Sequence, residues 1–379
     1  MKATFIEKKR IFCFEDTGRS GFAGGQRITT YVMKQLSHHS QSTEITVFDR
    51  GYNIVCDEFF KKYSIKYIPL SKNKPYLSLL RWLFFCFAFS IRKNRVQTIC
   101  YTPTRIPSAI IGFSKRIGLV NNLKCVVHEH MVAPRNKFIF YLYKFLTSSS
   151  EFIIYSSKYC KATYKRNNLE KSIPKIFGGI VAIDIKDSAN TDSLAKSTNQ
   201  LCKSRAENKS RKYLSLIYTG RINKEKGIFE LVNYFKSEFG KCLNSKSKDI
   251  HLFISGPGSI EQIKKLNLLI NGSNNIHYLG VIDVSKDFYK IFDIGIVPSW
   301  NYSESLGLSA LELCFHVGKA LITCQGKAFD PLYKIKGVVK LNKNTSLRTQ
   351  IELLYDSPPI APESIKKITG PSILDMNIF

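Results

Sequence analysis

The sequence predicts an α/β chain of two doubly wound, Rossmann-like domains facing a cleft. Three observations predict it. Short apolar runs alternate with amphipathic segments in both halves. A polar stretch over 187–212 separates the two series, and glycine-rich or basic turns follow several of the apolar runs. Such alternation implies parallel strands covered by helices, with ligands at the carboxyl ends of the strands.

The first strand is expected over 9–14, followed by a loop carrying Gly18, Gly21, Gly24 and Gly25. A helix over 26–37 follows, because Ile28, Tyr31, Val32 and Leu36 share one face at helical spacing. Strands over 44–49, 97–101, 124–127 and 152–156 alternate with helices over 77–91, 107–116, 137–146 and 158–167. Between 187 and 212, Ser, Asn, Lys and Thr dominate, the composition of a linker or extended loop. The second series has strands over 214–219, 251–255, 276–279, 294–297 and 320–323, with helices over 228–239, 259–270, 284–291 and 308–316. Ser259 and Gln262 form a plausible capping box for one of them. The expected domains are therefore 1–186 and 213–350, joined by 187–212 and followed by a tail, 351–379, that packs back on the first domain.

Composition removes several classes. Ten cysteines without a Cys-x-x-Cys pair argue against a disulfide framework and a zinc site, and suit a reducing cytosol. Residues 1–10 are charged and lack a secretory apolar core. The longest apolar run, 82–91, is far short of the ~20 helical residues a membrane span needs. The net charge of +28 favours anionic partners. It is uneven: 30 basic against 11 acidic residues in 1–185 give +19, and 27 against 18 in 186–379 give +9. A solubilising surface bias and a membrane-facing patch both fit that excess. A nucleic-acid-binding protein is a further reading, but no aromatic RNA-binding motif, helix-turn-helix signature or Cys/His finger supports it.

The chemistry concentrates in the second series. Tyr218-Thr219-Gly220-Arg221 ends a strand, and Lys224-Glu225-Lys226-Gly227 opens a helix. Fixed cations beside a helix N-terminus suit a diphosphate. Ser255-Gly256-Pro257-Gly258 is a tight turn after a strand, and Pro298-Ser299 ends another, with Glu304, Gly307, Leu308 and Glu312 beyond it. Eight helical residues between the two glutamates span ~12 Å, comparable to the reach from a ribose to the sugar of a nucleotide sugar. No Asp-x-Asp element is present to hold a divalent metal against a diphosphate, so neither metal nor cofactor is expected.

The ordered string Gly220-Arg221, Lys226-Gly227, Gly256-Pro257-Gly258, Leu279-Gly280, Asp293, Pro298-Ser299, Glu304, Gly307-Leu308, Glu312 and Gly318 resembles the family 4 retaining glycosyltransferases, over nearly the whole chain. The resemblance implies the two-domain GT-B fold and transfer of a sugar, as in a hexosyltransferase, from a nucleotide sugar to an acceptor hydroxyl with retention. It implies that Arg221 and Lys226 contact the donor diphosphate, Glu312 the ribose, and Glu304 the transferred sugar. Gly24-Gly25 matches the family's glycine loop after the first strand, which borders the donor diphosphate and the acceptor, and His130, or failing that His128, falls where the family places a histidine near the donor sugar. Departures are Ser305-Leu306 where Gly-Phe is common, Gly326 to Asp330 in place of Gly-Gly-x-x-Glu, and Gly178-Gly179 where an asparagine is usual.

A lipid-linked oligosaccharide acceptor at the inner face of the cytoplasmic membrane, as in bacterial surface-polysaccharide (lipopolysaccharide or capsule) assembly, fits both resemblance and charge. The protein is then cytoplasmic, with peripheral contact to anionic lipid and no nucleic-acid partner. Segments 77–91 and 137–146, apolar and aromatic with flanking Arg and Lys, suit shallow membrane contact, although buried helices of such a domain read alike. A GT-B sugar-nucleotide epimerase, which needs no acceptor, is the competing enzyme.

Overall fold

The computed structural model describes residues 9–16, 24–39, 43–70, 81–82, 84, 98–165, 175–177, 213–239, 249–282, 286–301, 304 and 307–369. The chain divides into two compact units, Met1–Val181 with Thr369–Phe379, and Ala182–Ile368.

In the first unit β1 (Lys9–Glu15), α1 (Gly24–His39), β2 (Thr43–Asp49), α2 (Ile54–Lys62) and β3 (Lys66–Pro69) come first. They are followed by β4 (Thr98–Thr102), α3 (Arg105–Arg116), β5 (Leu123–Glu129), α4 (Lys137–Thr147), β6 (Phe152–Tyr155), α5 (Lys158–Lys165) and β7 (Lys175–Phe177). The seven strands form one parallel sheet in the order β3-β2-β1-β4-β5-β6-β7. Its central strands are buried on both faces, which is why Ile11 to Phe14 and Cys125 to Val127 read as unbroken apolar runs rather than alternating ones. Phe12, Phe14, Phe48 and Trp82 pack together in one of its cores.

The second unit contains β8 (Tyr213–Thr219), α6 (Ile228–Phe239), β9 (Asp249–Ser255), α7 (Ile260–Ile270), β10 (Ile276–Tyr278), α8 (Lys286–Tyr289) and β11 (Ile294–Ser299). It continues with α9 (Leu308–His316), β12 (Ala320–Cys324), a 3-10 turn (Leu332–Lys334), β13 (Val338–Lys340), α10 (Leu347–Tyr355) and α11 (Pro362–Thr369). The sheet is again parallel, in the order β10-β9-β8-β11-β12-β13. Leu214, Leu216 and Tyr218 of β8 share a core with Ile228, Val232 and Phe235 of α6, Leu266 of α7 and Ile351 of α10. The capping box at Ser259 is present: its hydroxyl accepts from Gln262 N at 3.2 Å while Ser259 N donates to Gln262 Oε1 at 3.1 Å.

The α/β class and the doubly wound character of both units are as the sequence predicts. The pattern missed α2 with β3, β7, β13, α10 and α11. These strands have three or four residues and lie at or beside the sheet edges, so none supplies a long apolar run. The expected helix over 77–91 lies outside the described residues except at 81, 82 and 84, as do all of 187–212 and 370–379. The helix expected over 284–291 is a single turn, Lys286–Tyr289.

Candidate donor site

In the second sheet, β9 and β11 lie on opposite sides of β8, so chain order reverses direction there. At such a switch point the loops after neighbouring strands splay apart and leave room for a ligand. Gly220 and Arg221 follow β8, Gly256 follows β9, and Ser299 ends β11. The loops after β8 and β9 are tied together: Gly220 N donates to Ser255 O at 3.0 Å and Ile222 N to Pro257 O at 2.7 Å. Gly256 N in turn donates to Gly280 O at 2.9 Å.

Gly227 explains how a cation reaches this place. Its φ is +71°, and a Cβ built on it would stand 1.8 Å from Pro298 O. Only glycine lets the loop after β8 press onto the end of β11 at that angle. The loop is also held locally, with Lys226 N donating to Asn223 Oδ1 at 2.9 Å and Gly227 N to Lys224 O at 3.0 Å. Lys226 Nζ consequently pairs with Glu304, whose Oε1 also accepts from Ser299 Oγ at 3.2 Å. Glu304 is buried although it lies in a loop. A buried carboxylate needs a cation or hydrogen bonds, and it has both.

Tyr218 and Arg221 complete that side. Tyr218 OH donates to Arg221 O at 2.7 Å. Burial, then the charge of Glu304, raises the Tyr218 hydroxyl above its usual range, while Arg221 opposes the rise. Arg221 is exposed. Gly307, at φ +66°, is the N-cap of α9, and a Cβ there would enter the Phe329 ring at 2.1 Å. The backbone turns left-handed at this point and starts α9 at Leu308, so first-turn N–H groups open beside Glu304 in the chain. Glu312, at the start of the second turn of α9, is buried; Tyr289 OH donates to its Oε2 at 3.4 Å and lies 3.4 Å from Thr219 Oγ1. The Tyr289 ring stacks on His316 with centroids 5.5 Å apart.

Two sets therefore form in this unit: Lys226, Ser299 and Glu304 with Tyr218 and Arg221, and Glu312 with Tyr289 and Thr219. The residues that sequence reasoning left without a role are Tyr218, Tyr289 and Thr219. Tyr218 and Thr219 stand at the strand end already singled out. Tyr289 precedes the site in a helix of one turn and leaves no periodic signal.

The other expected residues belong to the first unit. Gly24 and Gly25 begin α1. His128 is buried near the end of β5, with Tyr101 OH and His128 Nδ1 2.6 Å apart, and its ring lies 3.9 Å from that of His130. Burial holds both imidazoles neutral: His128 well below its ordinary value, helped by the neighbouring His130, and His130 down to about 3. Between them, Glu129 is buried and accepts from Tyr143 OH and, at 2.7 Å, from Tyr164 OH. Glu15 at the end of β1 accepts from Thr29 Oγ1 at 2.5 Å; burial raises its carboxyl to about 7. Among the described residues no group of three or more His, Cys, Asp and Glu is placed to hold a metal. No described helix is long and apolar enough to cross a membrane.

Residues 200–348 match the model of the group 1 glycosyl transferases. No curated protein matches the chain in sequence. HepE of Anabaena, solved in complex with UDP-glucose, is similar in structure with a TM-score of 0.67 at 12% identity, covering 97% of each chain. A glycosyltransferase of Rickettsia africae is similar with a TM-score of 0.64 at 19% identity, over 96% of this chain and 91% of that one. Sucrose-phosphate synthase of Thermosynechococcus elongatus follows with 0.63 at 17%, over 95% and 92%. At such identities the likeness is one of fold: the chain carries the two-domain GT-B fold, and 200–348 is similar to the group 1 glycosyl transferases.

Proposed function

We propose that the protein is a retaining glycosyltransferase, of hexosyltransferase type, that moves a sugar from a nucleoside diphosphate to a hydroxyl of a lipid-linked glycan in surface-polysaccharide assembly. The observation that carries the transfer reading is the Lys226–Glu304–Ser299 cluster at the switch point, beside Arg221 and the start of α9. The match over 200–348 and the nucleotide-sugar complex of HepE support it.

In this reading the leaving diphosphate gains charge as the glycosidic bond stretches. Lys226, Arg221 and the first-turn N–H groups of α9 are preorganised to stabilise that charge, the largest contribution such a site makes. Glu312, its carboxylate oriented by Tyr289, accepts from ribose hydroxyls. Glu304 accepts from a hydroxyl of the transferred sugar and keeps Lys226 in place. The leaving phosphate takes the acceptor proton on the same face, which yields retention without a protein nucleophile. The neutral imidazole of His130, or failing that of His128, serves as a hydrogen-bonding group for a sugar hydroxyl rather than as a cation, and the Gly24-Gly25 turn borders the diphosphate and the acceptor.

A thermal-shift series with UDP, GDP, ADP and their sugars tests the donor half. At least one nucleoside diphosphate is expected to raise the melting temperature, and NMR of the product is expected to show the donor's anomeric configuration. If polynucleotides stabilise the protein and no nucleotide sugar does, the reading fails.

A further inference from the structure

The pairing of α3 with α4 leaves a side of α4 that the core does not use. Phe140, Tyr143 and Thr147 are its buried residues, a stripe at i, i+3 and i+7. Phe138, Tyr141, Leu142 and Phe145 form a second stripe on the opposite side at ~100° per residue, and all four are exposed, Phe138 at 75%. Ile139 is exposed as well. The outward face of a surface helix is ordinarily polar. A contiguous apolar and aromatic face marks an interaction site.

The rim of this face is cationic. Lys137 and Lys144 lie between the buried and exposed stripes, and Arg135 precedes the helix. A Cβ on Gly112 of α3 would meet Leu146 O at 2.3 Å, so the two helices touch through backbone. That approach sets Arg116 of α3 over the Phe145 ring at 3.9 Å, its Nη1 donating to Ser148 Oγ at 2.7 Å. Residues 130–150 contain no Asp or Glu. The flanking acids do not offset the rim: Glu129 is buried against Tyr143 and Tyr164, and Glu151 pairs with Lys115.

We propose that this face docks on an anionic phospholipid surface. Phe138, Tyr141, Leu142 and Phe145 enter the boundary between headgroups and acyl chains, while Arg116, Arg135, Lys137 and Lys144 stay at the level of the phosphates. Long cationic side chains at the border of an apolar stripe can reach back to the interface in this way. A second copy of the chain is the poorer occupant, because an isologous contact would bring these four cations against their own counterparts with no acid between them. The inference goes beyond the sugar-transfer reading and does not depend on it.

Flotation of the full chain with phosphatidylcholine vesicles, with and without phosphatidylglycerol, tests it. The wild type is expected to float with the anionic vesicles, less so as salt is raised. The Phe138→Ser/Leu142→Ser variant is expected to lose at least about tenfold in partitioning. Lys137→Glu/Lys144→Glu, which touches only exposed groups, is expected to lose at least about fivefold per lysine, since each change removes a cation and adds an anion. A Leu268→Ser/Leu353→Ser control, exposed apolar residues of the other unit, is expected to float as wild type. The proposal is overturned if the wild type shows no preference for the anionic vesicles, or if both α4 variants float unchanged. It is also overturned if the wild type sediments as a dimer that Phe138→Ser/Leu142→Ser dissociates. Nucleotide-sugar thermal shifts, unaltered by the α4 variants, report separately on the proposed transfer.

Discussion

Replacing Lys226 with alanine asks whether the cation beside α6 serves a phosphate or only braces the loop. Lys226 pairs with Glu304, and the two side chains are 19% and 11% exposed. Removing one partner of a fully buried pair costs ~3–5 kcal/mol; the residual exposure here brings that to about 2–3 kcal/mol. A unit of this size loses ~2–4 °C per kcal/mol, so melting should fall by roughly 4–12 °C. The affinity for a nucleoside diphosphate should fall by the worth of one charge-assisted hydrogen bond, ~1.5–3 kcal/mol, or ~10–150-fold. Adding Glu304→Gln separates the effects. The amide needs no cation, so melting should recover in the double variant while affinity stays low. Glu304→Gln alone leaves Lys226 available, and diphosphate should bind at least as tightly as to wild type while sugar transfer falls. Calorimetric titration with UDP, GDP and ADP beside melting curves gives both readouts. Wild-type diphosphate affinity in Lys226→Ala, with lowered melting, would sink the phosphate role and leave a structural brace.

Three further expectations follow from the geometry. Gly227→Ala must move Pro298 O or strain a left-handed φ, so it should destabilise by about 2 kcal/mol or more in urea titrations and weaken diphosphate binding; unchanged stability would mean the loop is not pinned there. Glu15 has its carboxyl raised from 4.5 to about 7, so the folded state holds a proton the unfolded state releases. Its contribution is full below about pH 4.5 and is lost as pH rises through 7, up to about 3 kcal/mol. Because the buried histidines destabilise in the opposite direction as pH falls, the readout is the difference between wild type and Glu15→Gln in urea unfolding at pH 5 and pH 8; a difference that does not change between the two would refute the assignment. Asp293 Oδ2 accepts from Ser215 N at 2.8 Å and Ser215 Oγ at 2.6 Å. Asp293→Ala leaves both donors unmatched and should lower stability by about 1–3 kcal/mol, with Asp293→Asn recovering part of it by thermal denaturation.

The central strands were legible because burial on both faces demands a run of apolar residues, as in Ile11 to Phe14 and Leu216 to Tyr218. Helices α6 and α9 were legible to the residue, since a glycine stands before each and the apolar spacing is helical. Edge elements such as β3 and β13 were not, because three or four half-buried residues carry no pattern above chance. Within the site, Arg221, Lys226, Glu304 and Glu312 were legible as residue types at strand ends and helix starts. Their pairings were not: that Lys226 meets Glu304 across 78 positions depends on the contact of Gly227 with Pro298, and no local spacing encodes that. Likewise the capping box at Ser259 could be read because it is local, whereas the Tyr289–Glu312 contact joins two helices.

The backbone contact of Gly227 with Pro298 also determines where this loop tolerates change. Lys224 and Glu225 are exposed and reach neither Glu304 nor β11 through any described hydrogen bond or ion pair. The position of Lys226 is set from behind by main chain and from below by the Asn223 side chain. Charge at 224 and 225 can therefore vary without relocating the cation at 226, whereas inserting or deleting one residue would carry it away from Glu304. The loop is a fixed frame with two interchangeable places.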